Sequence, residues 1–266
     1  MARSWWTLPE LPEVETVVRT LAPHLRGRHI VSASFSSPFV TPGNRRALAR
    51  RLSGRTIQSI TRRGKFIVIQ LDRGTLTVHL GMTGRLLIDA ASTKHTYGIL
   101  TLDTGCLIYT DPRQFGRILW NHDLSRLGPE PLDISLGEFQ ARVKSRKTSI
   151  KALLLNQTFL AGMGNIYVDE TLFAARVHPL ARASQLSATR VAAIHRHMRQ
   201  ILGAAIRLGG SSISDYVDAR GERGWFQLQH QAYGREGEPC TVCGTPIRKT
   251  TVVQRGTHYC PQCQRR

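Results

Sequence analysis

Four cysteines near the C-terminus carry the plainest chemistry in this sequence. Cys240-Thr-Val-Cys243 and Cys260-Pro-Gln-Cys263 are two Cys-x-x-Cys pairs separated by 16 residues. Thiolates are soft ligands, each pair can chelate one ion, and the spacer leaves room for a small hairpin between the pairs. The pattern predicts one structural Zn2+ held by Cys240, Cys243, Cys260 and Cys263. Redox-active dithiols are the competing reading, but they want a thioredoxin-like βαβ context that the flanking sequence lacks. Four protein thiolates leave the ion no open position, so it should not be catalytic. Cys106, in the apolar run Cys106-Leu-Ile-Tyr109, reads as a plain buried thiol.

The charges around these ligands point to a polyanion. Lys plus Arg number 37 against 18 Asp plus Glu in 266 residues, a formal net charge of +19. Each phosphate neutralised by Lys or Arg releases a condensed counterion, so such an excess favours nucleic acid. The cysteine-rich segment itself carries Arg248, Lys249, Arg255, Arg265 and Arg266. No apolar run approaches the roughly 18 residues that span a bilayer, and no basic amphipathic helix with an aromatic face stands out. The first residues are too short and polar for a secretory signal, and a cytoplasmic, nucleoid-associated monomer is expected.

The elements that must position these groups follow from periodicity. Val14, Val17, Val18, Leu21 and Leu25 recur at helical spacing behind Pro12, which suits a first turn. From about residue 29 to 120 short β-rich runs alternate with turn residues. Phe66–Leu71 and Thr75–Leu80 flank Asp72-Arg-Gly74 as a hairpin. Strands without intervening helices imply an antiparallel sandwich or barrel. Gly128-Pro-Glu-Pro131 marks a boundary, after which the pattern is helical. Val191, Ile194, Met198, Ile201, Leu202, Ala205 and Leu208 form a stripe ending at Gly209-Gly210. His195 and His197 beside it read as a solvated face. Residues 209–235 lack periodicity and read as a long, functional loop.

Specific motifs then narrow the reading. Pro9-Glu-Leu-Pro-Glu-Val-Glu15 resembles the N-terminus of the formamidopyrimidine-DNA glycosylases. The likeness continues through Arg62-Arg-Gly-Lys65, His79-Leu-Gly-Met-Thr-Gly84, Asp111-Pro-Arg-Gln-Phe-Gly116 and Leu127-Gly-Pro-Glu-Pro-Leu132. It extends to Lys147-Thr-Ser-Ile-Lys151, Gly162-Met-Gly-Asn-Ile-Tyr167, Tyr233-Gly-Arg-Glu-Gly-Glu-Pro-Cys240 and Gln254-Arg255. The endonuclease VIII-like branch is disfavoured by Leu11, where that branch usually has Gly, and by the Asp-Pro-Arg-x-Phe-Gly block.

The resemblance implies an α+β fold: an N-terminal antiparallel β-sandwich with flanking helices, then a helical domain with a helix–two-turns–helix element and a zinc-finger hairpin. The division expected is 1–8 an extension, 9–127 the sandwich, 128–235 the helical domain with a lesion loop, and 236–266 the finger. It implies base-excision repair of oxidised purines (8-oxoguanine, formamidopyrimidines) in duplex DNA by glycosylase and abasic-site lyase chemistry. Pro9 would be the amine nucleophile, Glu10 the acid/base, Lys65 a second proton donor and Arg255 a phosphate clamp. Met82, Arg113 and Phe115 match the residues that fill the void left by a flipped base. His95, Arg146, Lys151 and Asn165 match contacts to the DNA backbone.

One departure matters. The family's nucleophilic proline is N-terminal, whereas eight residues precede Pro9 here. A proline nitrogen inside a chain is a tertiary amide whose lone pair is delocalised. Activity therefore requires Pro9 to become the N-terminus, through a start at Leu8 or through trimming. The alternative is a catalytically silent binder of damaged DNA.

Overall fold

A computed structural model describes residues 9–212 and 216–265; the extension at 1–8, part of the expected lesion loop and Arg266 lie outside the described residues. The chain divides into two compact units, Met1–Ser125 with Leu208–Trp225, and Arg126–Arg207 with Phe226–Arg266.

The first unit begins with α1 (Leu11–Leu25), where Pro12 occupies the first turn and Val14, Val17, Val18, Leu21 and Leu25 are buried. This stripe is the one the periodicity predicts. Eight strands follow: β1 (Ile30–Phe35), β2 (Ile57–Arg63), β3 (Phe66–Leu71), β4 (Thr75–His79), β5 (Arg85–Ile88), β6 (Thr96–Leu102), β7 (Cys106–Thr110) and β8 (Arg117–Trp120). A short helix, α2 (Arg45–Leu52), stands between β1 and β2. The strands make two four-stranded sheets, β1-β6-β7-β5 and β2-β3-β4-β8, with every pair antiparallel. In β3 Ile67, Ile69 and Leu71 are fully buried while Phe66, Val68 and Gln70 are not, the period of two that a half-covered strand needs. Between the sheets Ile69, Leu76, Val78 and Ile118 meet Leu86, Leu100, Leu107 and Tyr109 around a residual cavity of only about 10 Å3. The sandwich core is therefore closely filled.

Leu208–Trp225 closes on itself and on α1. Trp225 N donates to Leu208 O (2.9 Å), Ser211 N donates to Glu13 Oε1 (2.7 Å), and the Tyr216 hydroxyl donates to Glu13 O (3.1 Å). The described part of the loop thus belongs with the sandwich unit, whereas the sequence division groups it with the helices.

The second unit holds α3 (Leu136–Lys144), α4 (Ile150–Leu155), α5 (Asn165–Ala174), α6 (Ala188–Arg207) and a hairpin of β9 (Arg248–Val252) and β10 (Arg255–Tyr259). Residues 166–173 of α5 are buried without exception, marking it as the central helix. On α6 Val191, Ile194, Met198, Leu202 and Ala205 are buried, as the stripe predicts. His195 is not part of a solvated face: its ring packs 5.6 Å from Phe139 and its Nε2 lies 2.8 Å from Ile134 O. Cys106 is partly exposed at the start of β7 and so is not the buried thiol expected. Among the described residues no helix is long and apolar enough to cross a membrane.

Candidate nucleic-acid interface and zinc site

Pro9 and Glu10 are buried at the start of α1. Glu10 is its N-cap in an extended conformation and forms a reciprocal capping box with Glu13; its N–H donates to Glu13 Oε2 at 2.9 Å. The carboxylate that the motif offers for acid/base work is held at the positive end of a helix. Lys65 comes from the two-residue turn joining β2 and β3, in which Arg63 pairs Phe66 and Gly64 has φ 57°. A type II′ hairpin turn wants glycine at that first position. Arg62 secures the turn: its Nε donates to Glu15 Oε2 (2.9 Å) and its Nη1 to Gly64 O (3.0 Å). Burial opposes ionisation of Glu15, yet the Arg19 and Arg62 guanidinium groups outweigh it and hold the carboxyl below its usual range. The N-terminal motif and the Arg-Arg-Gly-Lys motif thus share one ion pair.

The three void-filling candidates lie on two turns that touch. Met82 is half-buried in the turn after β4, and Phe115 is 48% exposed in the loop before β8. A Cβ on Gly81 would sit 2.5 Å from Gly116 N, so only glycine permits the two backbones to meet. Arg113 stacks its guanidinium over the Phe115 ring, 4.5 Å from the centroid. Asp111, fully buried, binds both turns together. Its Oδ1 accepts from the Thr83 hydroxyl and, at 3.3 Å, from Arg113 N; its Oδ2 accepts from Gly116 N (2.8 Å) and the Tyr109 hydroxyl (3.2 Å). Burial first, then the Asp111 charge, pushes the Tyr109 phenol well above its usual range, so it stays a donor. His95 is attached to the same loop, its carbonyl accepting from Asp111 N at 3.0 Å. His79 at the foot of the Met82 turn accepts from Gly81 N on Nδ1 (3.1 Å) and packs 4.9 Å from the Phe66 ring. Burial, then the Lys65 and Arg117 charges, lowers its pKa to about 4, so the ring is neutral and the acceptor role is stable.

In the second unit α4 and α5 and the turns between them make the helix–two-turns–helix element. Asn165 opens α5 and its Nδ2 donates to Gly256 O of the β9–β10 hairpin at 2.8 Å. Arg146 is exposed just after α3. Lys151 is not a surface residue. Its side chain is 0% exposed, its Nζ lies 2.6 Å from Asp169 Oδ1, and it also donates to Gly256 O at 3.2 Å. The ammonium expected to contact DNA is thus engaged by a carboxylate and a carbonyl. Asp169 Oδ2 accepts from His258 N (2.9 Å), so one carboxylate joins α4, α5 and β10. Arg255 is exposed at the start of β10, directly after Val253 and Gln254, whose φ values are 43° and 60°. Two positive φ values at the centre of a two-residue hairpin give a type I′ turn, which a β-branched residue adopts only under strain.

The four cysteine Sγ atoms lie within 4.8 Å of one another, with Cys240–Cys263 at 3.9 Å and Cys243–Cys260 at 3.5 Å. Zn–S bonds of about 2.3 Å in a tetrahedron put sulfurs roughly 3.8 Å apart. The set fits a single zinc ion. Sequence reasoning did not single out Asp111, Glu13, Asp169 or His258. Asp111 and Glu13 stand inside quoted motifs, and that position was the available signal; the pairing of Asp169 with Lys151 had none.

A sandwich unit bearing a buried proline–glutamate start, and a helix–two-turns–helix unit with a four-cysteine hairpin, define a zinc-bearing DNA-binding protein. Family models match in three consecutive stretches: the formamidopyrimidine-DNA glycosylase N-terminal domain over 8–118, its H2TH domain over 127–217, and the zinc finger found in FPG and IleRS over 237–266. A Solibacter usitatus formamidopyrimidine-DNA glycosylase is 51% identical, and one from Geobacillus kaustophilus 43%, each alignment covering 97% of this chain and 100% of the relative. Among solved structures, wild-type Lactococcus lactis Fpg with N7-benzyl-Fapy-dG DNA superposes with TM-score 0.89, and MutM with carbocyclic 8-oxo-G DNA with 0.88; each is 38% identical and covers 97% of this chain and 100% of the other. The chain belongs to the formamidopyrimidine-DNA glycosylase family.

Proposed function

We propose that this protein performs base-excision repair of oxidised purines in duplex DNA, acting on the chromosome in the cytoplasm as a glycosylase and abasic-site lyase. The observation that carries the reading is the Asp111-centred junction, which gathers a thioether, a guanidinium and a ring at one place on the sandwich unit. A base can leave the stack only if the hole is filled and its former partner is satisfied. Met82 and Phe115 supply apolar filling and Arg113 supplies donors for the estranged base.

The chemistry needs a free secondary amine at Pro9. Its lone pair attacks C1′ as the C1′–N bond breaks, and the departing base takes a proton. The amine-bound sugar then opens, the C1′–O4′ bond breaking as O4′ takes a proton, and the iminium left at C1′ acidifies the C2′ proton, whose loss expels the 3′ phosphate; a second elimination expels the 5′ phosphate. Glu10 shuttles these protons beside Pro9, Lys65 adds a donor from the hairpin, and Arg255 draws the phosphates. Arg146, Asn165 and His95 grip the backbone. Lys151 supports that grip by bonding Asp169 and the same Gly256 carbonyl that Asn165 holds.

The test is borohydride trapping on duplex carrying an oxidised purine. Protein that begins at Pro9 should form a covalent adduct and nick the strand, whereas protein retaining residues 1–8 should do neither. A trapped adduct with verified full-length chain refutes the proline assignment. No adduct and no nick from either form leaves a silent DNA binder.

A further inference from the structure

Helix α2 reads Arg45-Arg-Ala-Leu-Ala-Arg-Arg-Leu52, with only Leu48 and Leu52 buried and no acid in its first turn. Arg45 and Arg46 therefore stand at the end of the helix where the dipole disfavours cations, and Arg46 and Arg50 repel at i,i+4. Elsewhere in the same unit Arg19, Arg28, Arg55 and Arg62 each meet a carboxylate. Among the described residues, none of the four arginines of α2 does so. The helix keeps four charges that work against its own stability and that no carboxylate among the described residues neutralises. Local rules broken without an internal compensation mark a functional surface.

The turn leading into α2 is fastened to the lesion-site loop. Ser37 Oγ donates to Gln114 Oε1 and accepts from Phe39 N and Val40 N, both at 3.2 Å. Val40 O accepts from Ile118 N at 2.8 Å. Gln114 stands between Arg113 and Phe115, so the turn that leads into the basic helix is tied to the loop that carries them. Phe39, at the tip of that turn, is 65% exposed. A shallow cavity of about 450 Å3 opens beside Arg45 and Arg46.

We infer that α2 is an auxiliary phosphate-binding surface for duplex DNA, gripping the backbone outside the lesion site without regard to sequence. The inference rests on the DNA-binding reading above and extends it to a surface that touches neither the damaged nucleotide nor its partner base. Side chains on a two-turn helix can follow a run of phosphates, and the attraction is charge alone. Its use is in holding undamaged DNA during search.

The test uses protein beginning at Pro9 and its variant with Arg46→Gln, Arg50→Gln and Arg51→Gln, titrated with an undamaged 30-base-pair duplex across a salt series. Each lost phosphate contact lowers the slope of log affinity against log salt by about 0.9. The variant should lose about 2 to 3 in slope and at least about tenfold in affinity near 0.1 M salt, the contribution expected of two or three such contacts. Its melting temperature should equal or exceed that of the parent, because repelling charges have been removed. Single-turnover excision at saturating lesion duplex, with Pro9 free, should be unchanged. An unchanged slope overturns the inference, and so does a lower melting temperature or a slower saturated excision step. Loss of binding to phosphatidylserine vesicles with the duplex slope intact would assign the helix to membranes and overturn it as well. Failure of the parent protein to bind any duplex instead sinks the DNA-binding reading, and that result is read without the variant.

Discussion

Lys151→Met tests whether the second unit is held together as described. The substitution keeps most of the side-chain volume and removes the charge. It leaves the Asp169 carboxylate, 0% exposed, without the ammonium now 2.6 Å away. Removing one partner of a buried pair typically costs about 3–5 kcal/mol, because the remaining charge is uncompensated. Asp169 would retain the His258 N–H (2.9 Å) and the nearby His258 Nδ1 (3.4 Å) but no ammonium, so a cost within that range is expected. At roughly 2–4 °C per kcal/mol for a chain of this size, melting should fall by about 6–20 °C. Adding Asp169→Asn removes the stranded charge while an amide oxygen still accepts from His258. The double variant should therefore be more stable than Lys151→Met alone, by at least about 1 kcal/mol of coupling. Thermal melts followed by circular dichroism give both numbers. DNA titrations separate this role from a phosphate contact: the double variant should keep the parent salt slope, whereas loss of a direct contact would lower it by about 0.9. A Lys151→Met protein melting within a degree or two of the parent would refute the reasoning.

Three further outcomes are expected. Cys260→Ser should abolish zinc, measured by metal analysis, and with it DNA binding, while the sandwich stays folded; stoichiometric zinc in a chain lacking residues 236–266 would contradict the ligand set. Arg113→Ala should erase discrimination among the four bases opposite the lesion, worth roughly 1–3 kcal/mol, and an unchanged order of preference would remove Arg113 from that role. His79 has a folded pKa of about 4, below its unfolded value near 6.5. Its neutral form is the stabilising one, so the contribution is complete above pH 6.5 and is lost as pH falls from there towards 4, by no more than about 3 kcal/mol. His79→Gln should flatten stability across that window, and an NMR titration showing His79 protonating near pH 6.5 would overturn the assignment.

Much of the fold was legible because its signals are local. The α1 stripe, the β3–β4 hairpin and the α6 stripe follow from spacing alone, and the Cys-x-x-Cys pairs state their ligand. What was not legible depends on long-range pairing. Lys151 in a polar motif looks solvated until Asp169, 18 residues on, is found against it. His195 looks exposed until Ile134 O and Phe139 are seen. The attachment of Leu208–Trp225 to the sandwich unit rests on Glu13, nearly 200 residues earlier. The importance of Asp111 likewise lies in four donors spread from Thr83 to Gly116, which no periodicity reports.

That late attachment has a consequence for how the protein is made. Ser211 supplies an N–H to Glu13, the residue that caps the Glu10 end of α1. Residues 1–125 are therefore translated well before the segment that completes their unit. At about 5–20 residues per second the intervening stretch takes on the order of 4 to 17 seconds to emerge. Throughout that interval a nascent chain holds the sandwich and the Pro9–Glu10 start but not the segment that braces them. The Pro9–Glu10 segment is thus synthesised well before the segment that braces it, and a ribosome stalled between residues 125 and 208 would display a sandwich unit without that brace.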